Sequence, residues 1–98
     1  MLTIHKYPIP ASDVFGLELP IGAEILHFNT QDNESMVIWA KVDTDAELET
    51  RAFRLAGTGH DLINHDLTNL MPSHIMSYIG TVKLHNNKLI FHLFEFGK

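Results

Sequence analysis

Apolar residues recur at every second position through most of this chain, and helical spacing is nearly absent. A period of two belongs to pleated strands, each burying one face. A chain built this way must stack sheets face to face or curl one sheet around its own core. Thr3 to Ile9 reads as a strand, closed by Pro8 and Pro10. Gly16 to Leu19 reads as another, stopped by Pro20. Ala23 to Thr30 places Leu26 and Phe28 on one face and Ile25 and His27 on the other. After the polar turn Gln31-Asp32-Asn33-Glu34, Ser35 to Val42 sets Met36, Ile38, Ala40 and Val42 against Val37, Trp39 and Lys41. Apolar side chains on both faces mark that segment as a central strand. Thr50 to Ala56 holds Phe53 and Leu55 on the face of Arg51, with Ala52 and Arg54 opposite.

The C-terminal hairpin has the clearest register. Tyr78 to His85 and Lys88 to Phe96 flank Asn86-Asn87, and asparagine tolerates the positive φ that a two-residue turn demands. Setting His85 opposite Lys88 pairs Val82 with Phe91, Leu84 with Leu89 and Gly80 with Leu93 on a core face. The other face then pairs Lys83 with Ile90, Thr81 with His92 and Ile79 with Phe94. That mixed face calls for cover by a loop, a ligand or a second copy of the chain, so a homo-oligomer enters the expectations.

Asp61 to Ser77 is the only long segment without alternation, and it is too apolar for a free loop. Asp66 or Thr68 offers a cap for a short helical turn before Pro72. The expected architecture is one all-β domain over residues 1–98, with six to seven antiparallel strands in a sandwich or half-open barrel. The segment at about 61–77 is expected as an apolar, partly helical insertion serving as lid, plug or partner surface.

Composition narrows the function classes. The 98 residues hold no cysteine, which excludes disulfides and thiolate zinc sites. No apolar run reaches membrane-spanning length and the N-terminus has no signal-peptide pattern, so the expectation is a cytoplasmic protein without a membrane role. A net charge of −5 argues against direct DNA binding, which needs a basic face. Asp32, Glu34, Asp43, Asp45, Glu47 and Glu49 form an acidic region that suits a basic protein surface, or simply a solvated rim. Seven histidines make the surface charge responsive to mild acid.

Gly57-Thr58-Gly59-His60 follows the strand carrying Arg51 and Arg54. A glycine-flanked turn exposes backbone N–H groups, and arginine suits phosphate, so these residues form a candidate anion or nucleotide corner. The lysine and helix of a P-loop are missing, and a bulge that redirects the chain explains the same turn. Arg51 and Arg54 also have opposite strand parity, which weakens a shared site. Lys83 and His92 on the mixed hairpin face are candidate helpers, and Trp39 or Tyr78 a candidate stacking platform. Core burial is the competing reading of both aromatics. His60, His65 and His74 lie in or beside one loop with Asp61 and Asp66 adjacent, and offer nitrogen and oxygen ligands for a divalent metal, but the spacing matches no standard pattern. No catalytic residue, metal site or cofactor is assigned.

Blocks along nearly the whole chain resemble a family of small uncharacterised proteins encoded by phages and prophages. They are Lys6-Tyr7-Pro8, Leu19-Pro20-Ile21-Gly22-Ala23-Glu24-Ile25-Leu26, Trp39-Ala40-Lys41-Val42-Asp43, Phe53 to His60, Tyr78-Ile79-Gly80-Thr81 and Phe91-His92-Leu93-Phe94-Glu95. The link between the fourth and fifth blocks is longer here than is usual in that family. The resemblance implies a phage or mobile-element setting. There, small accessory proteins act by binding, either sequestering nucleotide immune signals or occluding a host enzyme. The leading expectation is therefore non-catalytic, counter-defence binding of a small phosphorylated or nucleotide signal. The alternatives are inhibition of a host protein through the acidic 32–49 region and a metal-dependent hydrolase using His60 and His65.

Overall fold

A computed structural model describes residues 1–62 and 76–97. The chain forms β1 (Leu2–Ile9), β2 (Val14–Pro20), β3 (Glu24–Thr30), β4 (Met36–Asp43), β5 (Leu48–Gly57), β6 (Met76–Leu84) and β7 (Leu89–Phe96). They make two antiparallel sheets, ordered β1-β4-β3 and β2-β5-β7-β6. The sheets stack as a sandwich with separate ladders, so the half-open barrel is not the form adopted. Among the described residues there is no helix. The partly helical insertion was expected on residues 61–77; most of these, 63–75, lie outside the described residues.

Each sheet presents its alternating apolar face to the other. Phe53, Leu19, Ile38, Leu93 and Val42 are fully enclosed, and Phe15 stacks on Phe53 at 5.4 Å. Burial of such a side chain contributes about 1.5–3 kcal/mol. As the two-sided apolar pattern of Ser35–Val42 implies, β4 is the centre of its sheet, and Val37 on its second face is buried as well.

Two bulges correct the expected facing. In β3 the register shifts between Ile25 and His27, which leaves Leu26 46% exposed and turns Ile25 toward the core beside Phe28. In β6 it shifts between Tyr78 and Gly80. Tyr78, not Ile79, therefore opposes Phe94, and Ile79 packs against the core. In each case the bulge turns an isoleucine toward the core.

The sandwich is tied at two places. Arg51 reaches into the inter-sheet space, where Nε and Nη2 donate to Glu95 Oε2 and Oε1 at 2.6 and 2.8 Å. Its Nη1 donates at 2.6 Å to the carbonyl of Ala23, just ahead of β3. Glu95 is only 5% exposed. The forked pairing, with Glu95 as the main cause, holds the Arg51 guanidinium above its usual pKa. At one end of the molecule the β6–β7 turn, residues 85–88, places His85, Asn86 and Asn87 at φ 50°, 56° and 68°, one more positive-φ residue than the expected two-residue turn needs. There Asn33 Oδ1 accepts from the Asn86 amide at 3.2 Å, and the Asn33 carbonyl accepts from the His85 amide at 3.0 Å.

Asp32 closes the β3–β4 turn by accepting from the amides of Ser35 at 2.7 Å and Glu34 at 3.1 Å. These bonds, Ser35 first, pull its pKa below the ordinary 3.8. A depressed folded value stabilises the fold above the unfolded value and is lost as pH falls through the folded one. Urea titrations below about pH 4 are expected to show a shallower loss of stability for Asp32→Ala than for the native chain.

Candidate functional site

The outer face of the four-stranded sheet gathers most of the residues selected from sequence. Strand β5 ends where Gly57 pairs with Phe91. The chain then turns, with the His60 amide donating to the Gly57 carbonyl at 3.0 Å and Gly59 at φ 89°. The Gly57 amide donates to His60 Nδ1 at 3.2 Å, so the neutral imidazole carries its proton on Nε2. A Cβ on Gly57 would stand 2.9 Å from His60 Cε1, so only glycine lets the ring lie this close. The turn thus uses two of its own N–H groups internally. Its contribution to an anion falls to Thr58, Gly59 and the Nε2 of His60, which has no partner among the described residues.

Beside this turn runs a chain of hydrogen bonds across three strands. Thr58 Oγ1 lies 2.8 Å from His92 Nε2, and His92 Nδ1 lies 2.9 Å from Thr81 Oγ1. Thr81 Oγ1 in turn bonds the Tyr78 hydroxyl. Tyr78 also packs edge-on against Phe94, with ring centroids 5.6 Å apart. A ring held by a hydroxyl on each nitrogen has a fixed orientation. The chain has two possible directions of donation, so Thr58 can present either a proton or a lone pair outward. A hollow of about 270 Å³ opens at the Thr58 end, between the Gly57–His60 turn and Lys88–Phe91. A larger hollow of about 440 Å³, around Lys6, Gln31 and Glu34 of the acidic region, contains none of the candidate ligand-binding residues.

The two arginines are occupied elsewhere. Arg51 points into the sandwich, on the face opposite to this site. Arg54 faces outward but is 2% exposed. Its Nη1 donates to the Leu55 and Asp13 carbonyls at 2.6 and 3.2 Å, its Nη2 to the Asp61 carbonyl at 2.7 Å, and its Nε to that of Leu62 at 3.4 Å. It anchors the start of the chain beyond the turn. Trp39 lies on the outer face of the other sheet, in register with Lys6 and His27, and its ring sits 5.9 Å from His27. It therefore shares no face with Tyr78. Lys83 is exposed beside Ile90 on the site's own face.

Sequence reasoning missed Lys88 and the role of Thr81. The hairpin register had put Thr81 opposite His92, which was the available signal; a threonine–histidine pair alone reads as structural. Of the acidic region, Asp43 and Asp45 accept from the Met1 amino group at 3.3 and 2.9 Å, and Asp32 closes its turn. Glu34, Glu47 and Glu49 remain exposed and form no ion pair among the described residues. Among the described residues no group of three or more His, Cys, Asp or Glu is placed to hold a metal; His65 and His74 lie outside them. No helix among the described residues is long and apolar enough to cross a membrane.

These features define a two-sheet, all-β domain with a polar strip on the outer face of its larger sheet. The chain belongs to the family described as Domain of unknown function (DUF7352), whose model matches residues 1–98. No curated protein and no solved structure matches it.

Proposed function

We propose that the protein acts by binding a small phosphorylated ligand at the corner formed by Thr58, His60 and Lys88, without catalysing its conversion. The observation that carries this reading is the Thr58 hydroxyl, fixed by His92 at the mouth of a hollow that Lys88 also lines. Phosphate oxygens accept from hydroxyl, imidazole N–H and ammonium donors, and a charge-assisted bond of this kind contributes about 1.5–3 kcal/mol. Arg51 and Arg54 stabilise the fold around the corner and do not touch the ligand. The resemblance to phage-encoded proteins supports a setting of phage–host conflict, in which capture of a nucleotide signal would be a counter-defence.

Isothermal titration of the full chain with phenyl phosphate and inorganic phosphate tests the reading. Thr58→Val keeps the β-branched shape and removes only the hydroxyl. It is expected to weaken binding about tenfold or more, with an unchanged melting temperature in the absence of ligand. Lys88→Met is expected to weaken it similarly. Equal affinity in both variants and the native chain, or no binding of either phosphate, would overturn the proposal.

A further inference from the structure

The polar strip has an order along its length. Ile90, His92 and Phe94 are alternate residues of β7 and face the same way, so they stand about 7 Å apart. Register pairs Ile90 with Lys83, His92 with Thr81 and Phe94 with Tyr78. Thr58 follows Gly57, the partner of Phe91, and so joins the Ile90 row at the hollow. One end of the strip therefore carries ammonium groups, from Lys83 and Lys88. The middle carries the His92 imidazole between the Thr58 and Thr81 hydroxyls. The far end carries an aromatic pair, with Tyr78 60% exposed.

We infer, on the basis of the phosphate-binding reading above, that the ligand is a ribonucleoside monophosphate lying lengthwise along β7. Its phosphate meets Lys88 and Thr58, a sugar hydroxyl meets Thr81, which His92 holds in place, and its base rests on Tyr78 beside Phe94. The three rows span about 14 Å along the strand. The middle row explains the sugar. Whichever way the chain donates, Thr81 Oγ1 spends its proton and one lone pair on His92 and Tyr78, and its second lone pair is left to accept a ribose hydroxyl. Charged groups would be the expected lining had a second phosphate lain there.

The charge count explains the single phosphate. Two lysines match one dianionic group. A triphosphate carries about four charges and is normally held with further cations or a metal. Both arginines near the strip are committed to Glu95 or to backbone carbonyls, and a net charge of −5 disfavours a polyanion. The far end supplies a π-face for the base, which contributes about 1–3 kcal/mol.

Calorimetric titration of the full chain with AMP, 2′,3′-dideoxy-AMP, ribose 5-phosphate, ATP and phenyl phosphate separates the parts. AMP is expected to bind about tenfold tighter than 2′,3′-dideoxy-AMP and than ribose 5-phosphate, with ATP no tighter than AMP. Thr81→Val is expected to erase the preference over the dideoxy compound, read as the ratio of the two affinities, because loss of the Thr81–His92 bond also loosens the Thr58 contact for both ligands. Tyr78→Ala is expected to erase the advantage over ribose 5-phosphate. If phenyl phosphate binds through Thr58 but AMP binds no better, or if ATP binds tighter than AMP, the inference fails and the phosphate reading stands. If none of the five binds, both fail.

Discussion

Replacing Arg51 with methionine is expected to lower the folding stability by about 3–5 kcal/mol, because it leaves the Glu95 carboxylate buried without its partner. The Ala23 carbonyl loses its donor at the same time. For a domain of this size each kcal/mol corresponds to about 4–8 °C, so the variant is expected to melt at least 12 °C lower or to be unfolded at room temperature. Guanidinium unfolding followed by the fluorescence of Trp39 measures the loss. Arg51→Met combined with Glu95→Leu is expected to recover most of it, since an apolar pair fills the same space without a stranded charge. A double variant no better than the single would mean that the Ala23 contact, not the buried charge, carries the effect. The raised pKa of Arg51 makes this stabilisation complete below its unfolded value and lost only as pH rises through the still higher folded one. Stability between pH 5 and 9 is therefore insensitive to it.

Arg54→Ala is expected to act on structure before it acts on binding. Four backbone carbonyls, of Leu55, Asp13, Asp61 and Leu62, lose donors from a nearly sealed guanidinium. Leaving a buried carbonyl unpaired costs about 1–3 kcal/mol, relieved at Asp13, whose carbonyl keeps the Leu55 amide at 2.9 Å, and where water reaches the exposed Asp61 and Leu62. A net loss of about 2–4 kcal/mol follows. Hydrogen exchange is the discriminating measurement. Amides from Leu55 to Leu62 are expected to lose protection, while those of β1 and β4 keep theirs. Weaker phosphate binding without faster exchange in this segment would place Arg54 in direct contact with the ligand.

The strands were legible because period-two alternation is a local property that each segment carries in itself. The hairpin register followed from Asn86-Asn87 for the same reason, down to the Thr81–His92 pair. The opposite parity of Arg51 and Arg54 was equally visible, and their occupations follow from it. What could not be read is what depends on distant partners. Nothing near Arg51 announces Glu95, 44 residues away. Nothing near Trp39 tells which of two sheets it faces out from. The bulges at Leu26 and Ile79 arise from competition for the core, which a strict alternation reading cannot weigh. The hydrogen-bond chain from Thr58 to Tyr78 required both the β5–β7 pairing and the β6 bulge, since without that bulge Ile79, not Tyr78, would oppose Phe94.

The sheet order has a consequence for any attempt to divide the molecule. β1, β3 and β4 form one layer, while β2 and β5 must wait for β6 and β7 to complete the other. A chain truncated before Met76 would leave β5 as a bare edge, with the Arg51 guanidinium facing an apolar surface and no counter-ion. Such an edge is a template for intermolecular pairing. The domain is therefore indivisible in practice: its N-terminal three-quarters should aggregate when made alone, and recover when the C-terminal hairpin is supplied as a separate peptide.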